Sequence, residues 1–279
     1  MLYQTFAPPP QLAPYVRFFW ALEDEADGEF IHRSIADCCV EMVFHYRGVF
    51  DEIDRNGITA ASPLANIQAQ STLYRRYVTR QTFGIFGVYM YPVALPHLFS
   101  VPASELTNVS PDLVSAFGRD GRLLQERMLE AADNLTRVAV ASEFLLSKLS
   151  SQKHGLPHIH HAALSILRSN GTASVSELAQ THGLSRRQFE RKFKEFAGLS
   201  PKLYSRIARF QAATQFKFAG CRDLAEIAYS CGYYDQSHFS NEFREFSGYT
   251  PAQYFLNEAE GTQYINSEEM SHFSNTPGG

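Results

Sequence analysis

The sequence predicts two domains of different class: an α+β domain over residues 1–150 and an all-α domain over residues 158–256, with a linker at 151–157 and a tail at 257–279. Three observations lead there. A segment near the C-terminus occurs twice, each time with helical spacing. Runs rich in β-branched and aromatic residues mark the first half. Between them lies a polar stretch broken by Gly155 and Pro157. At 279 residues and 44% apolar composition, the chain can bury two cores.

In the first half, residues 30–46 and 82–91 read as strands. Side chains alternate along a strand. Cys39, Glu41, Val43 and His45 therefore share one face, and Val40, Met42, Phe44 and Tyr46 the other. A face carrying Glu and His either lines a ligand cavity or is outward and solvated. Cys39, Glu41 and His45 are the candidate effector contacts. They lack metal-ligand spacing, since no His-x-His or third ligand lies nearby. From residue 121 to 149 the period becomes helical. Leu123, Leu124, Met128 and Leu129 mark one helix; Leu135, Val138, Phe144, Leu145 and Leu149 mark another. Their stripes either pack onto the β-rich part or join two copies of the chain.

The second half carries the duplication. Ala179, Gly183, Phe189, Phe193, Phe196, Gly198, Pro201 and Tyr204 recur as Ala228, Gly232, Phe239, Phe243, Phe246, Gly248, Pro251 and Tyr254. The offset is 49 before the phenylalanines and 50 after, so the second turn is one residue longer. Each copy reads as helix-turn-helix. In the first, Ser176 caps a short helix, Gly183 turns the chain, and Ser185 caps the next helix with Gln188 in capping-box position. Phe189, Phe193 and Phe196 share one face of it, which must be buried. Arg187, Glu190, Arg191 and Lys194 share the opposite face, with Arg186 beside them. In the second copy Gln236, Ser237, His238, Ser240, Asn241 and Arg244 lie outside the phenylalanine stripe. A short helix, a Gly turn and a helix with a long polar face is the geometry that enters a major groove. Between the copies, residues 201–219 read as one helix, with Pro201 in its first turn and Gly220 as its stop. Nineteen residues span roughly 28 Å, near the ~34 Å between successive major-groove faces on one side of B-DNA.

Charge agrees only by segment. The whole chain is −4, which argues against nonspecific polyanion binding. Residues 158–256 hold 12 Lys and Arg against 8 Asp and Glu, while residues 1–157 hold 13 against 17. A modestly basic module suits site-specific binding. No run of ~18 apolar residues predicts a membrane span, and no leader pattern opens the chain, so a cytoplasmic location is expected. Cys38, Cys39, Cys221 and Cys231 have no Cys-x-x-Cys spacing and read as reduced core thiols. No cofactor, metal or catalytic set is expected.

Residues 157–255, and above all Gly232 to Tyr254, resemble the AraC/XylS family of bacterial transcription regulators. The resemblance implies two helix-turn-helix units joined by a long helix, bound to two adjacent major grooves of double-stranded DNA near promoters, with RNA polymerase as a further partner. Matched residue by residue, its base-reading positions fall on Arg187, Glu190 and Arg191, and on Gln236, Ser237 and Asn241. Asn241 departs from the family, which often carries Arg there. Residues 10–20, 37–44, 86–89 and 101–106 are similar to the sensor region of one AraC-type subfamily. This implies a small cupin-like β-sandwich or barrel with flanking helices, binding a small effector or forming a homodimer.

Three readings follow: an effector-controlled regulator; a regulator whose N-terminal domain only dimerises or contacts a protein; and an enzyme fused to a DNA-binding module. The last would need Cys38 or Cys39 as nucleophile, and they lie in an apolar strand without a flanking Pro-Cys-His context.

Overall fold

The structure, a computed structural model, describes residues 1–25, 28–54, 56–150, 158–215 and 223–256. In chain order the strands are β1 (Leu2–Phe6), β2 (Val16–Asp24), β3 (Phe30–Ser34), β4 (Val40–Arg47), β5 (Asp51–Ile53), β6 (Thr59–Ala60), β7 (Ala65–Gln68), β8 (Arg75–Thr79) and β9 (Phe83–Met90). The helices are α1 (Ala94–Leu98), α2 (Ala103–Leu106), α3 (Leu113–Glu130), α4 (Asn134–Ser150), α5 (His158–Arg168), α6 (Val175–Thr181), α7 (Arg186–Ala197), α8 (Pro201–Thr214), α9 (Leu224–Ser230), α10 (Gln236–Ser247) and α11 (Pro251–Phe255). The α+β then all-α order is the expected one. The chain divides into two compact units. The first is residues 1–31, 39–70 and 76–156. The second takes in residues 32–38 and 71–75 with everything from 157.

Five strands form a sheet in the order β1-β2-β9-β4-β7, and four form a second, β3-β8-β5-β6. β9 lies at the centre of the larger sheet, antiparallel to β2 and β4, and all eight of its residues are buried. That is why its sequence is a continuous apolar run rather than an alternation. Gly87 stands opposite Trp20 in register. A Cβ there would lie 2.1 Å from the indole, so the missing side chain is what lets Trp20 lie flat on the sheet. The expected strand over residues 30–46 is two strands, β3 and β4, interrupted between residues 34 and 40. The solvated reading of the Cys39 face is overturned. Cys39, Val43 and His45 are as buried as Val40, Met42 and Phe44.

The two helical stripes are α3 and α4, but α3 begins at Leu113, well before residue 121, and bends at Gly118 (φ 58°, ψ −128°). Leu124, Met128 and Leu145 are buried. Arg137 of α4 donates to the Met128 and Ala131 carbonyls at 3.2 and 2.8 Å. It thereby satisfies groups that the end of α3 leaves without helical partners. Its guanidinium also lies 3.5 Å from the centroid of the Tyr46 ring.

In the second unit, α8 is described from Pro201 to Thr214. Its described helix ends at Thr214, about 21 Å at ~1.5 Å per residue, so it alone does not span the groove-to-groove distance. Phe218, Ala219 and Gly220, with Cys221, the 151–157 linker and the 257–279 tail, lie outside the described residues. Gly171 (φ +76°) meets α8 so closely that a Cβ would sit 2.1 Å from the Ser205 carbonyl oxygen.

Burial pushes the His45 imidazole down to about 4, against an ordinary value near 6.5. Its folded-state value is depressed, so its neutral form gives full stability above pH ~6.5. That stability is lost as pH falls from there towards 4, because the unfolded chain takes up a proton that the folded one refuses. His45→Leu should remove about one proton from the pH dependence of unfolding in that window, read by denaturant titration from pH 4.5 to 7.5. An unchanged slope would contradict the assignment.

Candidate nucleic-acid interface

The two copies superpose in kind, feature by feature. In the first, Ser174 rather than Ser176 caps α6, its side chain accepting from the Glu177 amide. Gly183 (φ 63°) makes the turn. Ser185 caps α7 in a complete capping box with Gln188. Gly198 (φ 76°) ends it, and Ser200 caps α8 with Pro201 at its start. In the second, Asp223 caps α9, Gly232 (φ 74°) turns the chain, and Asp235 caps α10 through the His238 amide. Gly248 (φ 74°) ends α10, and Thr250 caps α11 with Pro251 at its start. Residues with side chains are strained at such positive φ, so the four glycines recur for one reason.

The cores repeat too. Phe193 meets Tyr204 edge-on at 5.2 Å, and Phe243 meets Tyr254 edge-on at 5.1 Å. Phe189, Phe193, Phe196, Phe239, Phe243 and Phe246 are all buried. With those faces fixed inward, the opposite faces must point to solvent. Arg186, Arg187, Arg191 and Lys194 of α7 are exposed, and Glu190 is half-buried. Arg186 and Glu190 pair with each other at 3.0 Å, one turn apart. Gln236, Ser237, His238, Asn241 and Arg244 of α10 are exposed.

A groove of about 720 Å³ lies within the second unit. It brings together Arg186 and Glu190 of α7, His238 and Asn241 of α10, and Lys202 and Arg206 of α8. Arg187, Arg191, Lys194, Gln236, Ser237 and Arg244 are exposed on the same two helices but do not line it. Sequence reasoning missed Lys202, Arg206 and Glu242, which lie in this groove, and Tyr234, 86% exposed in the turn before α10. The signal for Glu242 was present: it occupies the place of Lys192 in the other copy.

The candidate effector residues sit in the first unit without forming a cluster. The Cys39 thiol accepts a long contact from Arg17 (3.8 Å), the Glu41 carboxylate accepts from the Trp20 indole N–H, and His45 packs 5.9 Å from the Phe50 ring. A separate open cleft of about 760 Å³ lies beside Tyr46. Gln4, Glu23, Arg47, Asn134 and Arg137 line it. The Tyr46 hydroxyl donates to Glu23 at 2.5 Å, which holds that carboxyl below its ordinary range.

Residues 178–257 match a family model described as a helix-turn-helix domain. Over 80 residues the chain is 35% identical to the HTH-type transcriptional regulator ArgR of Pseudomonas aeruginosa, covering 29% of this chain and 24% of that protein. It is 33% identical over 80 residues to the HTH-type transcriptional activator RhaS of Escherichia fergusonii, covering 29% of each. The C-terminal region is an AraC-type helix-turn-helix domain. The chain therefore spans about a quarter to a third of the length of these relatives. Residues 4–112 match a domain of unknown function, DUF6597. A solved structure of ToxT from Vibrio cholerae is similar over 92% of this chain and 98% of its own, at 13% identity and a TM-score of 0.48.

The outward faces of α7 and α10 differ in reach and charge. Arg grips guanine with two hydrogen bonds, worth ~1–3 kcal/mol of discrimination. Arg191→Ala should therefore relax base preference in the half-site read by α7, and Asn241→Ala should cost less. Arg244→Ala should weaken all sequences about equally and lower the salt slope by roughly one. Binding to a panel of single-base variants, at several salt concentrations, reads all three. If Asn241→Ala abolishes preference and Arg191→Ala is tolerated, the ranking is reversed.

Proposed function

We propose that this protein is a site-specific, DNA-binding transcription regulator whose N-terminal unit binds a small effector. The observation that carries the DNA reading is the pair of matched helix-turn-helix units, each with a buried phenylalanine stripe and an exposed polar face. Arg186, Arg187, Glu190, Arg191 and Lys194 form the first contact set; Gln236, Ser237, His238, Asn241 and Arg244 form the second. Double-stranded DNA is engaged in two adjacent major grooves. The effector is placed in the first unit, at the Cys39, Glu41 and His45 face of β4 or in the neighbouring cleft at Tyr46. An alternative reading gives that unit dimerisation alone, and a specific observation favours including it. Leu123 and Leu135, on α3 and α4, are large apolar side chains left 46% and 69% exposed.

Residues 158–256 contain both units and α8, and this fragment should fold and bind alone. A site selected from random duplexes and footprinted with the fragment should show two protected patches about one helical turn (~10 bp) apart on one face. The full chain should cover two such sites if α3 and α4 join two copies, and one if they do not. A fragment with no preference over random sequence at moderate salt removes the proposal. A thermal-shift screen of the full chain against metabolites tests the effector. A stabilising compound should lose its effect in Glu41→Gln if β4 holds it, or in Glu23→Gln if the cleft does. The absence of any stabilising compound leaves the dimerisation reading.

A further inference from the structure

The two copies differ in one buried charge. Glu242 of α10 is only 5% exposed. Its counterpart in α7, 50 residues earlier, is Lys192, which is exposed. A buried carboxylate is costly unless it is paired and hydrogen-bonded, and α8 supplies the partner. Arg206 donates from Nε to Glu242 Oε1 at 2.5 Å and from Nη2 to Glu245 Oε2 at 2.7 Å. Its guanidinium also lies 5.0 Å from the centroid of the Phe246 ring. Glu242, Glu245 and Phe246 of α10 are thus all engaged by one side chain of α8. The same Glu242 Oε1 lies 3.3 Å from Nε2 of His238, one turn back on α10. Among the described residues, the ion pair of α7 is Arg186–Glu190, which is internal to that helix. Among those residues, the first reading helix has no such strut to α8.

Resting on the DNA-binding reading above, we propose that Arg206 and Glu242 are positioning residues that set base preference in the second half-site. They fix the seating of α10 on α8 and the ring of His238. Arg206 is the residue suited to this. Its planar fork reaches two carboxylates at once, which a lysine ammonium cannot reproduce in the same geometry. The consequence for reading is chemical. Glu242 faces the Nε2 side of the imidazole, so the opposite edge of the ring, at Nδ1, is the one turned to a base. In this arrangement Arg206 is spent on protein carboxylates and is not a phosphate contact, although it is basic and borders the groove.

The test uses the full chain, its selected duplex, and duplexes altered at single bases in each half-site. The double variant Arg206→Met, Glu242→Gln removes the strut without leaving a buried charge alone; its unfolding midpoint confirms that it folds. It should lose about 10-fold of the discrimination in the second half-site and keep that of the first within 2-fold. Arg206→Lys, the milder change, should lose about 3-fold at the same bases. At the base read by His238, His238→Ala should show the same loss, and adding the double variant should deepen it no further. Uniform weakening on every duplex, with a salt slope shallower by about one, would instead make Arg206 a phosphate contact and overturn the proposal. So would unchanged discrimination, or equal loss in both half-sites. If the unaltered chain shows no sequence preference at all, the DNA reading itself falls, an outcome separate from each of these.

Discussion

Burial of the phenylalanine stripes on α7 and α10 is the constraint from which the second unit follows. Phe193 and Phe243 each meet edge-on a tyrosine 11 residues downstream, past a glycine turn and in the first turn of the next helix. Large aromatic side chains bury much apolar surface and pack only in particular geometries. Once they are seated, rotation of either helix would expose one or more rings. The polar faces are therefore held outward with little freedom, and the left-handed glycines at each helix end set where those faces start and stop. The outward placement of these polar faces follows from the packing of the opposite side. The same coupling explains why the copies conserve their glycines, caps and rings between themselves while their outward residues diverge.

That divergence has a physical character. The outward face of α7 is long and basic, with its acid paired within the helix. The face of α10 is short and mostly neutral, and its acid is turned inward to Arg206. Long cationic side chains supply reach and electrostatic attraction; short polar ones need their helix placed accurately to touch anything. Among the described residues, a strut to α8 beneath the second helix and none beneath the first is consistent with that difference.

The duplication was legible in the sequence because its determinants are local: a glycine where φ must be positive, a cap three residues before its amide, rings at helical spacing. The first cap was misplaced by two residues because Ser174 and Ser176 both suit the role; the helix start is decided by which amide needs an acceptor. The expected continuation of α8 to residue 219 lies outside the described residues. In the first unit, alternation along β4 was readable, but its exposure was not. α3 packs against β4 and β7, and nothing local announces a helix covering a strand. The Arg206–Glu242 pair joins residues 36 apart and carries no sequence pattern beyond one acid standing where the other copy has a lysine. The cleft at Tyr46 is likewise tertiary, drawing on β1, β2, β4 and the start of α4.

The central claim is that both polar faces enter the major groove of one duplex. Methylation of guanine N7, which lies in that groove, tests it directly. On a selected site bound by the full chain, methylation interference should fall in two clusters separated by about one helical turn on one face of the DNA. A single cluster would leave one of the two units without its groove, and interference confined to minor-groove adenine N3 would contradict the account altogether.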